Sequence, residues 1–441
     1  MRKTVMIRAL VSMTVVLASS VSVLSQRAGK SLSQPYLKEV NTVAQPGESA
    51  LLIENVRIID GHGGKPVEKG FVAVKGGVIT HTGAGEAAQE LRRNAVVVDG
   101  KGRSLMPGLM DAHLHTVNDN NIIQRFLNNG VTSFRDPGHP FTFYQSIHFA
   151  DQPLPRIFLT GAHLDYPPVA YGQQATLVKS GEHARKMVAD NHRNGGTAVK
   201  IYFRLPLKYY NDVIETAKSY GIPVVAHLEL VSALDAMKAG ITGIEHVTSF
   251  GTSIAKENVK SHFISEVDKD NNARGVERYR LWSTIDLKNA QVNDVIREGV
   301  KHNITLCPTL AAFEKQAGEN GVEDFRVKGF NNMLGFVKMA HQAGLRIVIG
   351  SHSYVEYAKP GEAYFREMEL LSMAGMTPLE IIKAATVSNA EYFGNSNRLG
   401  SIEVGKAADL ILVDGNPSVD LQAIRNIEAV MVNGVWVKSN P

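Results

Sequence analysis

From about residue 109 to 395 the chain alternates between short apolar runs rich in β-branched residues and longer stretches with helical spacing. Eight of the apolar runs read as strands. They are GLMDAHLH (108–115), VTSFRD (131–136), RIFLTG (156–161), AVKIY (198–202), PVVAHL (223–228), GIEHV (243–247), ITLCPTL (304–310) and RIVIGSH (346–352). Between them, stretches such as GEHARKMVADNHRNGG, LKYYNDVIETAKSYG and ELVSALDAMKAG have helical texture. Strands that are apolar on both faces and alternate with helices predict a parallel sheet covered on both sides. Eight such units predict an α/β fold of the (β/α)8 TIM-like barrel type. The unit lengths vary too much for a solenoid of fixed repeat.

The two ends have a different pattern. LLIENVRIID (51–60), GFVAVKGGVITHTG (70–83) and AVVVDGKGRSLMPGLMD (95–111) are short β-rich runs broken by glycine-containing turns. GSIEVGKAADLILVD (400–414) and IEAVMVNGVWVKS (427–439) repeat that texture, with a hairpin signal at Asn433-Gly434. The ends are therefore expected to form one small β-sandwich from 49–108 and 396–441, beside a barrel at 109–395. Residues 1–25 read as a secretory signal peptide. Arg2, Lys3 and Arg8 form a basic start, 9–24 is apolar, and Val23 and Ser25 suit the small-residue cleavage rule. An uncleaved N-terminal anchor helix is the alternative. The polar stretch 26–48 reads as a linker, and the mature chain is expected to be secreted or periplasmic, with no stable membrane span.

Composition adds exclusions. With 44% hydrophobic and 20% charged residues in 441, the chain is ordinary globular material. A net charge of +4 without a basic stripe interleaved with aromatics gives no sign of a nucleic-acid partner. The one cysteine, Cys307, lies in an apolar run and reads as a buried small hydrophobe.

The chemistry lies at the strand ends, where a (β/α)8 barrel places its active site. Strand one ends with His113 and His115, two residues apart and therefore on one side if the strand continues. Lys200 interrupts the fourth strand, and strands five, six and eight end with His227, His246 and His352. An ionisable group in an apolar strand is costly unless it is paired or metal-bound. Taken singly, each histidine reads as a hydrogen-bonded core or rim residue, and Lys200 as the partner of a buried carboxylate. Taken together they point to a divalent metal site, with zinc the usual ion for hydrolysis. Tyr202, two residues beyond Lys200, should face the same way and line the pocket. His139 and His163 read as rim residues rather than ligands.

The stretches SLMPGLMDAHLHT, GVTSFRDPG, VKIY, VVAHLE, GIEHV, ATVSNAEYFG and LGSIEVGKAADLILVDGNP resemble the amidohydrolase superfamily. Within it, the chain is most similar to imidazolonepropionases and Xaa-Pro dipeptidase-like hydrolases. The resemblance covers residues 49 to 441. It implies a metal-dependent hydrolase that cleaves an amide, dipeptide or cyclic amide C–N bond with metal-activated water. It implies one or two divalent ions, with His113 and His115 holding the first, His227 and His246 the second, and a carboxylated Lys200 bridging them. Arg135 and Asp136 either brace the barrel or touch substrate. The substrate would be a small molecule or dipeptide, and the family permits assemblies from a monomer upward.

One position departs from the family, which has an aspartate at the end of strand eight as ligand and proton acceptor. Here His352 stands in its place, after Ser351, with Glu356 and Glu362 the nearest carboxylates. A neutral imidazole can ligate or accept a proton, but cannot do both well through one nitrogen. One reading is an active hydrolase with His352 or a nearby glutamate as base. The alternative is a catalytically impaired homologue that binds metal or ligand. The segment 251–290 reads as a long solvated loop, in which Arg274, Arg278 and Arg280 are available to a substrate carboxylate only on the less favoured reading.

Overall fold

The computed structural model describes residues 47, 49–115, 120–146, 153–319 and 321–438. The signal-like segment and nearly all of the linker lie outside them. None of the helices among the described residues is long and apolar enough to cross a membrane.

The chain starts in a mixed sheet: β1 (Ala50–Ile58), β2 (Val67–Lys75), β3 (Val78–Ala84), β4 (Ala95–Asp99) and β5 (Ser104–Pro107). Next come β6 (Leu109–Asp111), β7 (Val131–Asp136) and β8 (Arg156–Leu159), paired in parallel as one three-stranded sheet. β9 (His163–Asp165), β10 (Ala175–Leu177), β11 (Val199–Ile201), β12 (Val224–His227), β13 (Gly243–Glu245), β14 (Thr305–Cys307) and β15 (Arg346–Ile347) form a seven-stranded parallel sheet in the order β10-β9-β11-β12-β13-β14-β15. β16 (Leu410–Val413), β17 (Ile427–Val432) and β18 (Val435–Lys438) return to the first sheet.

Each of the eight runs read as strands contains one of β6, β7, β8, β11, β12, β13, β14 and β15. β9 and β10 were not foreseen. They are three-residue strands inside the connection between β8 and β11, too short to show a period. The strands named among those eight are almost wholly buried, as apolar runs covered by helices must be. The two parallel sheets are linked at both seams. Thr197 N–H donates to Leu159 O at 2.8 Å, and Ala112 N–H donates to Ile349 O at 2.8 Å.

The sheet from the two ends is joined by β16, which pairs antiparallel with β5 on one side and β17 on the other. Side chains alternate across it. Leu410 and Leu412 enter a core with Ile53, Val72 and Leu105, whereas Ile411 and Val413 enter the large core with Leu109 and Val131. β17 divides likewise, with Ala429 and Met431 on one side and Val430 and Val432 on the other. These strands therefore belong to two cores at once, each buried side chain contributing about 1.5–3 kcal/mol. The Asn433-Gly434 turn has positive φ at both residues, 53° and 78°, as a two-residue hairpin requires.

The expectation of a solvated loop over 251–290 is corrected. The segment is mostly helical, with helices at Gly251–Ile254, Glu257–Lys269 and Arg274–Ser283. Its apolar positions Phe263, Val267, Tyr279, Leu281 and Trp282 are buried. Helical spacing was legible there, and the density of charged residues concealed it.

Candidate metal centre

His113, His115, Lys200, Tyr202, His227, His246 and His352 all line one cavity of about 620 Å³ at the C-terminal ends of the parallel strands. Regular pairing in β6 stops at Asp111, so the two strand-one histidines lie just beyond the strand. The segment stays stitched to both neighbours: Leu114 N–H donates to Arg135 O at 3.0 Å, and Ala112 N–H to Ile349 O. The two rings therefore converge, with their Nε2 atoms 3.2 Å apart.

The remaining histidines pack around this pair. His246 lies 4.5 Å from His113 and 4.5 Å from His227, ring centre to ring centre. His352 lies 5.2 Å from His113, stacked at 14°, and 5.0 Å from His115. His246 and His352 have φ of 67° and 65°, and Ser353 follows at 78°. Non-glycine residues with such backbones cost of order 1–3 kcal/mol each and persist only where the surroundings hold them. For His246 the hold is its N–H to Cys307 O at 2.8 Å; for His352 it is its N–H to His113 O at 2.7 Å.

The outward nitrogens are occupied by partners that fix each ring. Glu245 Oε2 accepts from His113 Nδ1 at 2.5 Å, and Thr309 Oγ1 lies 2.7 Å from His246 Nδ1. Each of these two rings therefore keeps Nε2 for the cavity, the arrangement that orients metal-ligating histidines. Asp136 Oδ1 is 3.7 Å from His115 Nδ1, and Asp136 Oδ2 accepts from His139 Nδ1 at 2.8 Å. Lys200 Nζ and His227 Nε2 are buried with no hydrogen-bond partner among the described residues.

Burial sets the charges. It pulls His113 down to about 3 against the opposing pull of Glu245, and His227 down to about 4. Burial and neighbouring imidazoles hold His246 and His352 well below the usual histidine range. Lys200 is drawn down by burial to about 8, although the Glu245 carboxylate opposes the shift. Burial raises Glu245, but the Lys200 charge and the contact with His113 outweigh it and hold the carboxyl low. Asp136 is likewise raised by burial and then held well below its usual range by the nearby His115 ring and the hydrogen bond from His139.

A neighbouring part of the cavity wall is cationic. Arg274 and Arg278, expected in a solvated loop, are instead cavity residues on one helix. Arg274 Nη1 donates to Glu229 Oε2 at 3.2 Å, and Arg278 Nη2 is 3.0 Å from Glu229 Oε1. Burial raises the Glu229 pKa, but these arginines and His227 outweigh it and keep the carboxylate ionised. Tyr202 stacks against His163 at 4.2 Å and His227 at 4.9 Å, its hydroxyl 3.5 Å from Arg274 Nη1. Arg280 points away and pairs with Glu277. His139 and His163 are buried in the cavity wall.

Several residues that shape the centre were not singled out from the sequence. Glu245 had a signal, since it is a carboxylate within the apolar run GIEHV. Asn389 donates to Met110 O and to Ile349 O, tying strand one to strand eight beneath the histidines. Tyr392 Oη lies 3.0 Å from Glu245 Oε1. Arg135 donates to Tyr392 O at 2.9 Å and lies 4.5 Å above the Tyr392 and Phe393 rings, so it braces the site from below. Glu356 lines the cavity and pairs with Lys315, whereas Glu362 pairs with Arg425. Cys307 is buried, as read from its apolar run.

A cluster of imidazoles, two of them oriented through their second nitrogen, at the mouth of parallel strands is the donor chemistry of a metal centre in an α/β protein. Residues 104–437 match the amidohydrolase family, and the chain belongs to it. It is 24% identical over 417 residues to the imidazolonepropionase of Brevibacillus brevis, covering 84% of this chain and 90% of that protein. A Xaa-Pro dipeptidase crystallised with methionine in its active site superposes with a TM-score of 0.68 at 20% identity, over 89% of this chain and 100% of that one. The ochratoxinase of Aspergillus niger superposes at 0.67 and 20% identity, over 89% and 96%.

Proposed function

We propose that this protein is an exported metal-dependent amidohydrolase that cleaves a C–N bond in a dipeptide, small amide or cyclic amide. The observation that carries the reading is that His113, His115, His227, His246 and Lys200 line one cavity, where the Lys200 amine has no hydrogen-bond partner among the described residues. The donor chemistry fits a divalent ion. Two ligand nitrogens about 2.0–2.1 Å from a tetrahedral zinc are about 3.3 Å apart, and His113 and His115 offer 3.2 Å. In this reading His113 and His115 would hold one ion and His227 and His246 a second, with Lys200, once carboxylated, as a further ligand. An amine drawn down to about 8 is about half in its neutral, CO2-reactive form at that pH. When bound, the ion supplies Lewis acidity and lowers the pKa of water.

The chain's own groups do the rest. Glu245 and Thr309 aim the ligand rings. Arg278 and Tyr202 face the cavity from the neighbouring wall, where they suit a substrate carboxylate. The proton acceptor is His352 or Glu356, the cavity-lining acid–base pair at the end of strand eight. The seams between the two parallel sheets support a closed (β/α)8 barrel over 109–395, and the sheet shared by 49–108 and 396–441 supports the small β-sandwich. The basic start and apolar run of residues 1–25 support export to a secreted or periplasmic location.

The test is hydrolysis of dipeptides and cyclic amides by the full chain, with metal content measured per chain. Turnover that chelation removes and zinc restores supports the reading; no turnover on either class by metal-loaded protein overturns it. One observation favours a second reading, an impaired homologue that binds metal or ligand. The strand-eight position holds His352, and Glu356 is committed to Lys315. On that reading the metal-loaded chain is inert, and His352→Asp raises activity from near zero.

A further inference from the structure

The strand-eight end is built to deliver His352 to the strand-one histidines. Three links tie the loop to the HLH segment. Ser351 N–H donates to Asp111 Oδ1 at 3.0 Å, His352 N–H donates to His113 O at 2.7 Å, and Ser353 Oγ donates to His115 O. Asp111 also accepts from His113 N–H at 2.9 Å, so one buried carboxylate aligns both segments. The result is that one ring nitrogen from each of His113, His115 and His352 lies within 4.8 Å of the others. Two successive left-handed residues, His352 and Ser353, are retained to make this placement. A residue left behind by a decaying site has no reason to keep that strain.

The donor type then has a consequence. The carboxylates nearest these rings, Glu245 and Asp136, face the Nδ1 atoms of His113 and His115 and leave the cavity side to imidazole. We infer that His113, His115 and His352 form a three-imidazole nest for one tightly held ion, which selects nitrogen-preferring metals over oxygen-preferring ones. A donor set dominated by three imidazoles favours copper, nickel and zinc, whereas manganese and magnesium favour carboxylate and water. His352 is thereby a ligand and does not move a proton through the nitrogen that binds the ion. The inference rests on the cavity being a metal centre, and not on its turning over a substrate.

The experiment is equilibrium dialysis of the metal-free full chain against zinc and, separately, manganese. Bound ion is counted per chain, and the copper(II)-loaded chain is examined by EPR for the number of coupled nitrogens. The wild type is expected to hold one zinc tightly, to hold manganese at least a hundredfold more weakly, and to show three nitrogens. His352→Ala should lose one coupled nitrogen and bind zinc about 10–100-fold more weakly, in line with removing one anchor of a metal site. His352→Asp should narrow the zinc-over-manganese preference by tenfold or more. Two zinc ions of equal affinity in the wild type overturn the inference, as does a nitrogen count that His352→Ala leaves unchanged. If His352→Ala does not fold, the wild-type count decides: three nitrogens support the nest and two overturn it. One tight ion without turnover would sink the hydrolase reading alone, and two equal ions with turnover would sink this inference alone.

Discussion

The two walls of the cavity solve the problem of buried polarity in opposite ways. The histidine wall is kept neutral by burial, and its rings are aimed by carboxylates and hydroxyls behind them. The arginine wall keeps its charge, with Arg274 and Arg278 sharing the buried Glu229 carboxylate. A neutral lone-pair surface suits a cation, and a partly compensated cationic surface suits an anion. The difference teaches that one cavity can bind opposite charges a few ångströms apart without either wall collapsing onto the other. A substrate with a carbonyl at one end and a carboxylate at the other would match both.

The comparison breaks most severely at the neutral wall. His113→Ala should abolish turnover, costing several kcal/mol of barrier, about 10³-fold in rate. Steady-state kinetics on any substrate found for the wild type measures this. Glu245→Gln keeps the shape but weakens the hold on His113, so metal affinity should fall about 10–100-fold, read by competition with a chelating dye. At the charged wall, Arg278→Ala should raise KM for carboxylate-bearing substrates about 10–100-fold, the loss of a charged hydrogen bond. It should leave substrates without a carboxylate nearly unaffected, and an equal effect on both would show that Arg278 only supports the fold.

Acidity sharpens the contrast in the metal-free protein. His113 and His227 stay neutral when folded down to about 3 and 4, whereas the unfolded chain takes up their protons near pH 6.5. The unfolded state thus binds more protons below that pH, and stability falls as pH drops from about 6.5 towards 4. The slope is about 1.4 kcal/mol per pH unit for each such histidine. Glu229 and Glu245, held low when folded, act in the same direction below about 4.3. Thermal melting of metal-free protein between pH 8 and 4.5 should show a flat region and then a decline. Saturating zinc should raise the melting temperature across this range and leave the onset at about pH 6.5, which the unfolded chain sets. The smallest effect belongs away from both walls. Gly405→Ala, at φ 92° with open space around a Cβ, should cost roughly 1 kcal/mol of stability and leave turnover unchanged.

Much of this architecture could be read from the chain because its signals are local. Eight apolar runs with strand-end histidines carry their own period, and each contains an observed strand. What escaped were long-range partnerships. Asn389, Tyr392 and Thr309 look like ordinary helix and loop residues until the fold brings them under the histidines. The arginine wall escaped for a different reason. Arg274 and Arg278 sit among so many charges that the segment reads as solvated, and only Glu229, distant in sequence, makes their burial affordable. Left-handed His246 and His352 left no trace in a pattern of hydrophobicity, because backbone strain is imposed by neighbours.

β16 belongs to two cores, and this fixes an order of assembly. Its pairing partner β5 is made early in synthesis, but the strand itself arrives only after nearly every other element. Until then the flank that β16 covers in each core would stay open, and closure of so distant a pair is expected to be slow. Nascent chains stalled before Leu410 should therefore depend on chaperones and be sensitive to protease across both regions, gaining resistance together when that one strand emerges.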